Sequence, residues 1–170
     1  MLILGRKIQV LSYTSGMNTD QLSEFLKKAK KYTYVSEDAK KVASQRPSSK
    51  DYEYRDGPWT YHDTYFGGIH FIGEEIVYND NKPLWGMNYN GYVTDATVSE
   101  AEIDKSLRGA LKQLDYADII PVRGPKNYKI DNYEYRNIVR GTLDRFEGRE
   151  EVFKDNKSIY YAVFHGGLIK

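Results

Sequence analysis

Cysteine is absent from the chain. Disulfides, thiol nucleophiles and cysteine-ligated zinc are thereby excluded, and a reducing cytoplasm is the expected location. Histidine is scarce: His62, His70 and His165 are the only three, and no pair has ligand spacing, so no metal is expected. No apolar run approaches the roughly 18 residues of a membrane-spanning helix. The apolar start gives way to Gly5-Arg6-Lys7 after three residues, too short for a signal peptide. An excess of one charge sign is also missing, with 25 Lys plus Arg against 24 Asp plus Glu. No global field therefore draws the chain to nucleic acid. There is no nucleophile elbow, P-loop or dinucleotide fingerprint, so no cofactor is expected.

Tyrosine is abundant. The chain carries 16 Tyr against 6 Phe in 170 residues. Tyrosine favours strands and half-buried surfaces, and it can wall a pocket with hydroxyl handles. The pattern predicts a strand at about 7–13, then a helix at about 20–31 with Leu22, Phe25, Leu26 and Ala29 on one face. Lys27, Lys28, Lys30 and Lys31 read as the solvated end of that helix, where the dipole favours cations. Residues 36–51 read as a loop. Strands fill 52–93 and 127–169, with a second helix between Asp95 and Leu114 capped at Asp95, Thr97 or Ser99.

The two strand blocks resemble each other. A shift of 75 residues aligns 71–93 with 146–168, with eight identities in 23 positions, among them Glu75 with Glu150 and Asp80-Asn81 with Asp155-Asn156. With one residue of slippage, Trp59 and Tyr61 fall on Tyr133 and Tyr135. The expected fold is α+β, a single domain in which a unit of one helix plus antiparallel strands is duplicated, about 20–93 and 98–169. Two helices would pack on a largely antiparallel sheet. Asp80-Asn81 and Asp155-Asn156 suit two-residue turns with left-handed backbone. Such a turn places Val77 opposite Leu84, Ile76 opposite Trp85 and Glu75 opposite Gly86. Glu75 then shares a face with Asn88, and Glu150 shares one with Tyr161 and His165.

Two repeated glutamates near aromatics are the live chemical feature. A semi-buried Glu75 with Glu150, held by Asn88, Tyr161 or His165, would suit an amphipathic or cationic ligand. Trp59, Tyr61, Tyr65, Trp85 and Tyr89 are expected to wall the cleft, with Arg123 folded over it to receive a carboxylate.

Several short runs carry a resemblance: Arg46-Pro47-Ser48, Tyr54-Arg55, Asp63-Thr64-Tyr65, Phe71-Ile72-Gly73-Glu74-Glu75, Trp85-Gly86-Met87-Asn88-Tyr89, Arg123-Gly124-Pro125 and Phe164-His165-Gly166-Gly167. Over about 22–169 the chain resembles an uncharacterised bacterial domain family, often fused behind an XRE-type helix-turn-helix domain in transcriptional regulators. The family has no established activity, so the resemblance transfers no catalytic residue. It implies a signal-receiving or assembly module. The first 50 residues hold one clear helix rather than the several of a helix-turn-helix, so DNA binding by this chain alone is not expected. Three readings follow, in order: a small-molecule effector-binding domain, an oligomerisation or protein-interaction module such as a homodimer, and an enzyme using the two glutamates.

Overall fold

The computed structural model describes residues 18–36, 41–116 and 119–170; the strand expected at 7–13 lies outside them. Helix α1 (Thr19–Lys30) is capped by the Asn18 side chain, which accepts the Asp20 N–H at 3.0 Å. Its buried stripe is Leu22, Phe25, Leu26, Ala29 and Lys30. The chain then widens into a π-helical turn (Lys31–Val35), where the Thr33 hydroxyl donates to the Ala29 carbonyl at 3.0 Å. Helix α2 (Glu100–Leu111) starts later than its pattern suggested. Asp95 accepts from the Thr97 N–H and hydroxyl in a turn ahead of the helix, while Ser99 and Glu102 form a reciprocal capping box.

Nine strands fill most of the rest: β1 (Lys41–Val42), β2 (Lys50–Asp56), β3 (Trp59–Gly67), β4 (His70–Asn79), β5 (Lys82–Val93), β6 (Asn127–Ile130), β7 (Tyr133–Thr142), β8 (Arg145–Lys154) and β9 (Lys157–Leu168). β1 and the first residues of β2 occupy part of the segment read as a loop. All neighbours are antiparallel, in the order β1-β2-β3-β4-β5-β9-β8-β7-β6. Among the described residues the fold is thus α+β, strand-dominated, with two helices and one antiparallel sheet.

Both helices pack on the same face. The α1 stripe meets Tyr61, Val77, Trp85 and Met87, and α2 places Ile103 and Ala110 against Tyr135, Val152 and Ala162. Tight two-residue turns close β4–β5 and β8–β9. Asp80, Asn81, Asp155 and Asn156 all adopt positive φ, between 47° and 65°. The expected register holds only near these turns. A bulge between Val77 and Tyr78 shifts the pairing, so Val77 faces Trp85 and Glu75 faces Met87; a second bulge lies between Val152 and Phe153. One extra residue moves every side chain beyond it to the other face. Glu75 therefore points to the helices with Trp85, Met87 and Tyr89 rather than away from them with Asn88.

Candidate functional site

Between the helices, the sheet buries five charged side chains: Lys30, Asp63, Glu75, Arg123 and Glu150. Lys30 and Asp63 arrive by a simple periodicity. Lys30 continues the Leu22–Leu26 stripe of α1 by one more turn. Asp63 alternates with Tyr61 and Tyr65 on β3, and sits directly opposite Glu75 on β4. Glu150 on β8 sits opposite Asn137 on β7. Arg123 comes from the loop before β6.

Buried charges persist only when paired and hydrogen-bonded. The Lys30 ammonium pairs with Glu75 Oε2, and Arg123 pairs with Glu150 Oε1. Glu150 also accepts from the hydroxyls of Tyr135 at 2.7 Å and Tyr160 at 2.9 Å. Tyr135 in turn accepts the Gly124 N–H at 3.0 Å. A side chain at position 124 would press on the Tyr135 ring, with its Cβ at 2.8 Å from the hydroxyl oxygen, so glycine allows that approach. The Asn137 amide donates to the Gly124 carbonyl at 2.6 Å, which fixes the loop that carries Arg123. Burial disfavours the Glu150 charge, yet the Arg123 charge and these hydrogen bonds hold its carboxyl below the usual range. Burial also pulls the Lys30 ammonium below the ordinary lysine value, against the attraction of Glu75.

Among the described residues, Asp63 has no cation of its own. Its two oxygens accept from the hydroxyls of Tyr34 and Tyr89, both at 2.7 Å. Burial, followed by the facing Glu75 carboxylate, pushes Asp63 up to about 7, against the hydrogen bonds of Tyr89 and Tyr34 and the charge of Lys30. The sign of the linkage follows. The unfolded chain loses the Asp63 proton near pH 4, while the folded chain keeps it to about pH 7. The stabilisation is full below pH 4 and is lost as pH rises to about 7. Asp63→Asn should therefore remove a downward slope in stability across that window, of up to about 1.4 kcal/mol per pH unit. Urea denaturation of both proteins at several pH values checks this; parallel profiles would refute it.

A cavity of about 250 Å³ opens above the cluster, between the π turn, α2 and the sheet. Tyr34, Tyr89, Arg123 and Tyr160 form part of its wall together with Phe71 and Leu107. The Arg123 guanidinium lies 5.7 Å from the Tyr89 ring centre and 5.9 Å from that of Tyr34. Gly73 makes room here, since a Cβ at that position would sit 2.4 Å from the Tyr89 hydroxyl.

Of the candidate residues, Tyr65, Tyr89 and Arg123 line this cavity, and Tyr61, Glu75 and Glu150 lie buried on the same face. Trp59 packs on Phe25 and Trp85 on Phe146 in the core, with the Trp85 indole donating to the Leu143 carbonyl at 3.2 Å. Asn88, Tyr161 and His165 are on the opposite face, so they do not hold the glutamates as expected. The bulges are the reason. Lys30, Tyr34, Asp63, Asn137 and Tyr160 were missed. The signal for Lys30 was its place on the apolar helical stripe; for Asp63 and Asn137 it was alternation with buried tyrosines.

A protein-family model, Domain of unknown function (DUF5680), matches residues 63–169. No curated protein and no solved structure matches the chain.

Proposed function

The chain belongs to the family described as Domain of unknown function (DUF5680), a description that names no activity, and from the site we propose a small-molecule-binding module, the effector-sensing part of a cytoplasmic regulator. One observation carries the reading. An aromatic cavity is built directly on a buried, hydrogen-bonded charge cluster rather than being filled by side chains. Concave, mostly apolar sites with a few placed polar groups are where small ligands bind.

The proposal includes the duplication. Glu75 and Glu150 each face a buried polar residue across the strand, Asp63 and Asn137. The bulges fall at corresponding places, and Tyr89 pairs with Phe164, its counterpart 75 residues on, at the middle of the sheet. These features support two copies related by a pseudo-two-fold axis, with the cavity lying beside it. Fusion to an XRE-type helix-turn-helix would make ligand occupancy a signal.

A thermal-shift panel of metabolites tests the function. A ligand at about 100 times its Kd should raise the midpoint by roughly 5–10 °C. The shift should vanish in Leu107→Trp, which fills the cavity from α2. No stabilising compound in the panel, or shifts that survive Leu107→Trp, would argue against this cavity.

A second reading has its own observation. On the sheet face away from α1 and α2, Ile72 on β4 and Ile138 on β7 are 61% and 47% exposed, and Tyr92 on β5 is exposed too. This favours an interaction module. Sedimentation should then give a dimer burying at least about 1,000 Å²; a monomer across micromolar concentrations would remove that reading.

A further inference from the structure

We propose that the ligand of this cavity is an amphipathic anion, with an apolar or aromatic body and a carboxylate-type head seated on the Arg123 guanidinium. The inference rests on the small-molecule reading above and adds the charge class. Among the described residues, Lys50, Arg108 and Arg123 line the cavity against a single acid, Asp104. Asp104 already lies 3.7 Å from Arg108. The two glutamates that pointed to a cationic ligand form no part of the wall. They lie beneath it, fully buried, and each already holds a cation of this chain, Lys30 for Glu75 and Arg123 for Glu150.

Arg123 has donors to spare. Its Nη2 donates to Glu150, the Tyr160 hydroxyl also lies against the guanidinium, and its Nη1 stands 3.9 Å from Glu75, beyond hydrogen-bond reach. A guanidinium carries five N–H groups in a planar fork, which matches a carboxylate better than any other side chain does. Lys50 stands over the Tyr65 ring at 5.1 Å and donates to the Gly67 carbonyl at 3.0 Å, so its ammonium is held beside the cavity. Phe71, Val93, Ile103 and Leu107 supply the apolar wall for the ligand body. The volume, about 250 Å³, is just under the roughly 300–1,000 Å³ of drug-sized sites, which suits a metabolite of modest size.

Octanoate, octylamine and 1-octanol share one body and differ in head charge. Calorimetric titration of the full chain with each, below micellar concentrations, tests the proposal. Octanoate should bind saturably and at least about tenfold tighter than octanol, with octylamine weakest, and added salt should weaken octanoate alone. Lys50→Gln and Arg108→Gln alter exposed side chains and should leave the fold intact. Each should weaken octanoate about threefold or more and leave octanol unchanged. Octylamine binding tighter than octanoate would overturn the charge class while leaving a small-molecule cavity in place. No binding by any probe would overturn both. Octanoate binding that ignores both substitutions would place the anion elsewhere and also overturn the proposal.

Discussion

Lys30→Met should lower the stability of the protein by about 3–5 kcal/mol, because it strands Glu75 as a buried charge without its partner. For a chain of this size that is a fall of roughly 6–20 °C in the unfolding midpoint. The size of the effect follows from burial rather than from the ion pair itself. Both side chains are 1% exposed or less. Among the described residues, Glu75 Oε1 has no hydrogen-bond partner, and the nearest other cation, Arg123, stands at 3.9 Å. Removing both charges should cost much less. Lys30→Met combined with Glu75→Leu should recover more than half of the loss, since apolar replacements of a buried pair are often neutral or stabilising. Additive effects in the double variant would show that the pair is not coupled.

Arg123→Met should be of similar size and should also reverse a pH dependence. In the native protein Glu150 is held low by Arg123, Tyr135 and Tyr160, so its contribution is present above the ordinary carboxylate range and lost as pH falls. Without the guanidinium, burial dominates and the Glu150 carboxyl should rise above its unfolded value. Its contribution is then greatest in acid and is lost as pH rises. The variant should lose about 3–5 kcal/mol at pH 7 and regain part of it near pH 5. Arg123→Lys keeps the charge but not the fork, and should lose less. Denaturation at the two pH values decides it; a deficit that is constant with pH would mean that Glu150 keeps its charge by other means.

Much of the frame was legible in the residues. Asn18 and Ser99 mark the starts of the two helices, and Asp80-Asn81 and Asp155-Asn156 mark two turns with left-handed backbone. Those signals are local, a side chain meeting its own backbone. The site was legible only in part. Glu75, Glu150 and Arg123 stood out by repetition and position, but their partners did not. The bulges at Val77/Tyr78 and Val152/Phe153 leave no mark in a period-two pattern. Without them the glutamates seemed to share a face with Asn88, Tyr161 and His165. Lys30 was hidden in a run of lysines that the helix dipole alone explains. Asp63 was read only as part of the Asp63-Thr64-Tyr65 run, not as a buried charge. What buries both is the approach of α1 to β3 and β4, which no local pattern contains. The aromatic residues read as pocket walls divided in the same way: Trp59 and Trp85 went to the core, and Tyr65 and Tyr89 to the cavity.

The central claim is that a small molecule occupies the cavity above Arg123. Carbon-13 labelling of the tyrosine rings tests it most directly, because the tyrosines sample both faces of the sheet. Titration with octanoate should shift the ring signals of Tyr34, Tyr65, Tyr89 and Tyr160, which line the cavity. Tyr78, Tyr92 and Tyr161 should not move. Shifts confined to those three, or no shift at any ring, would contradict the account.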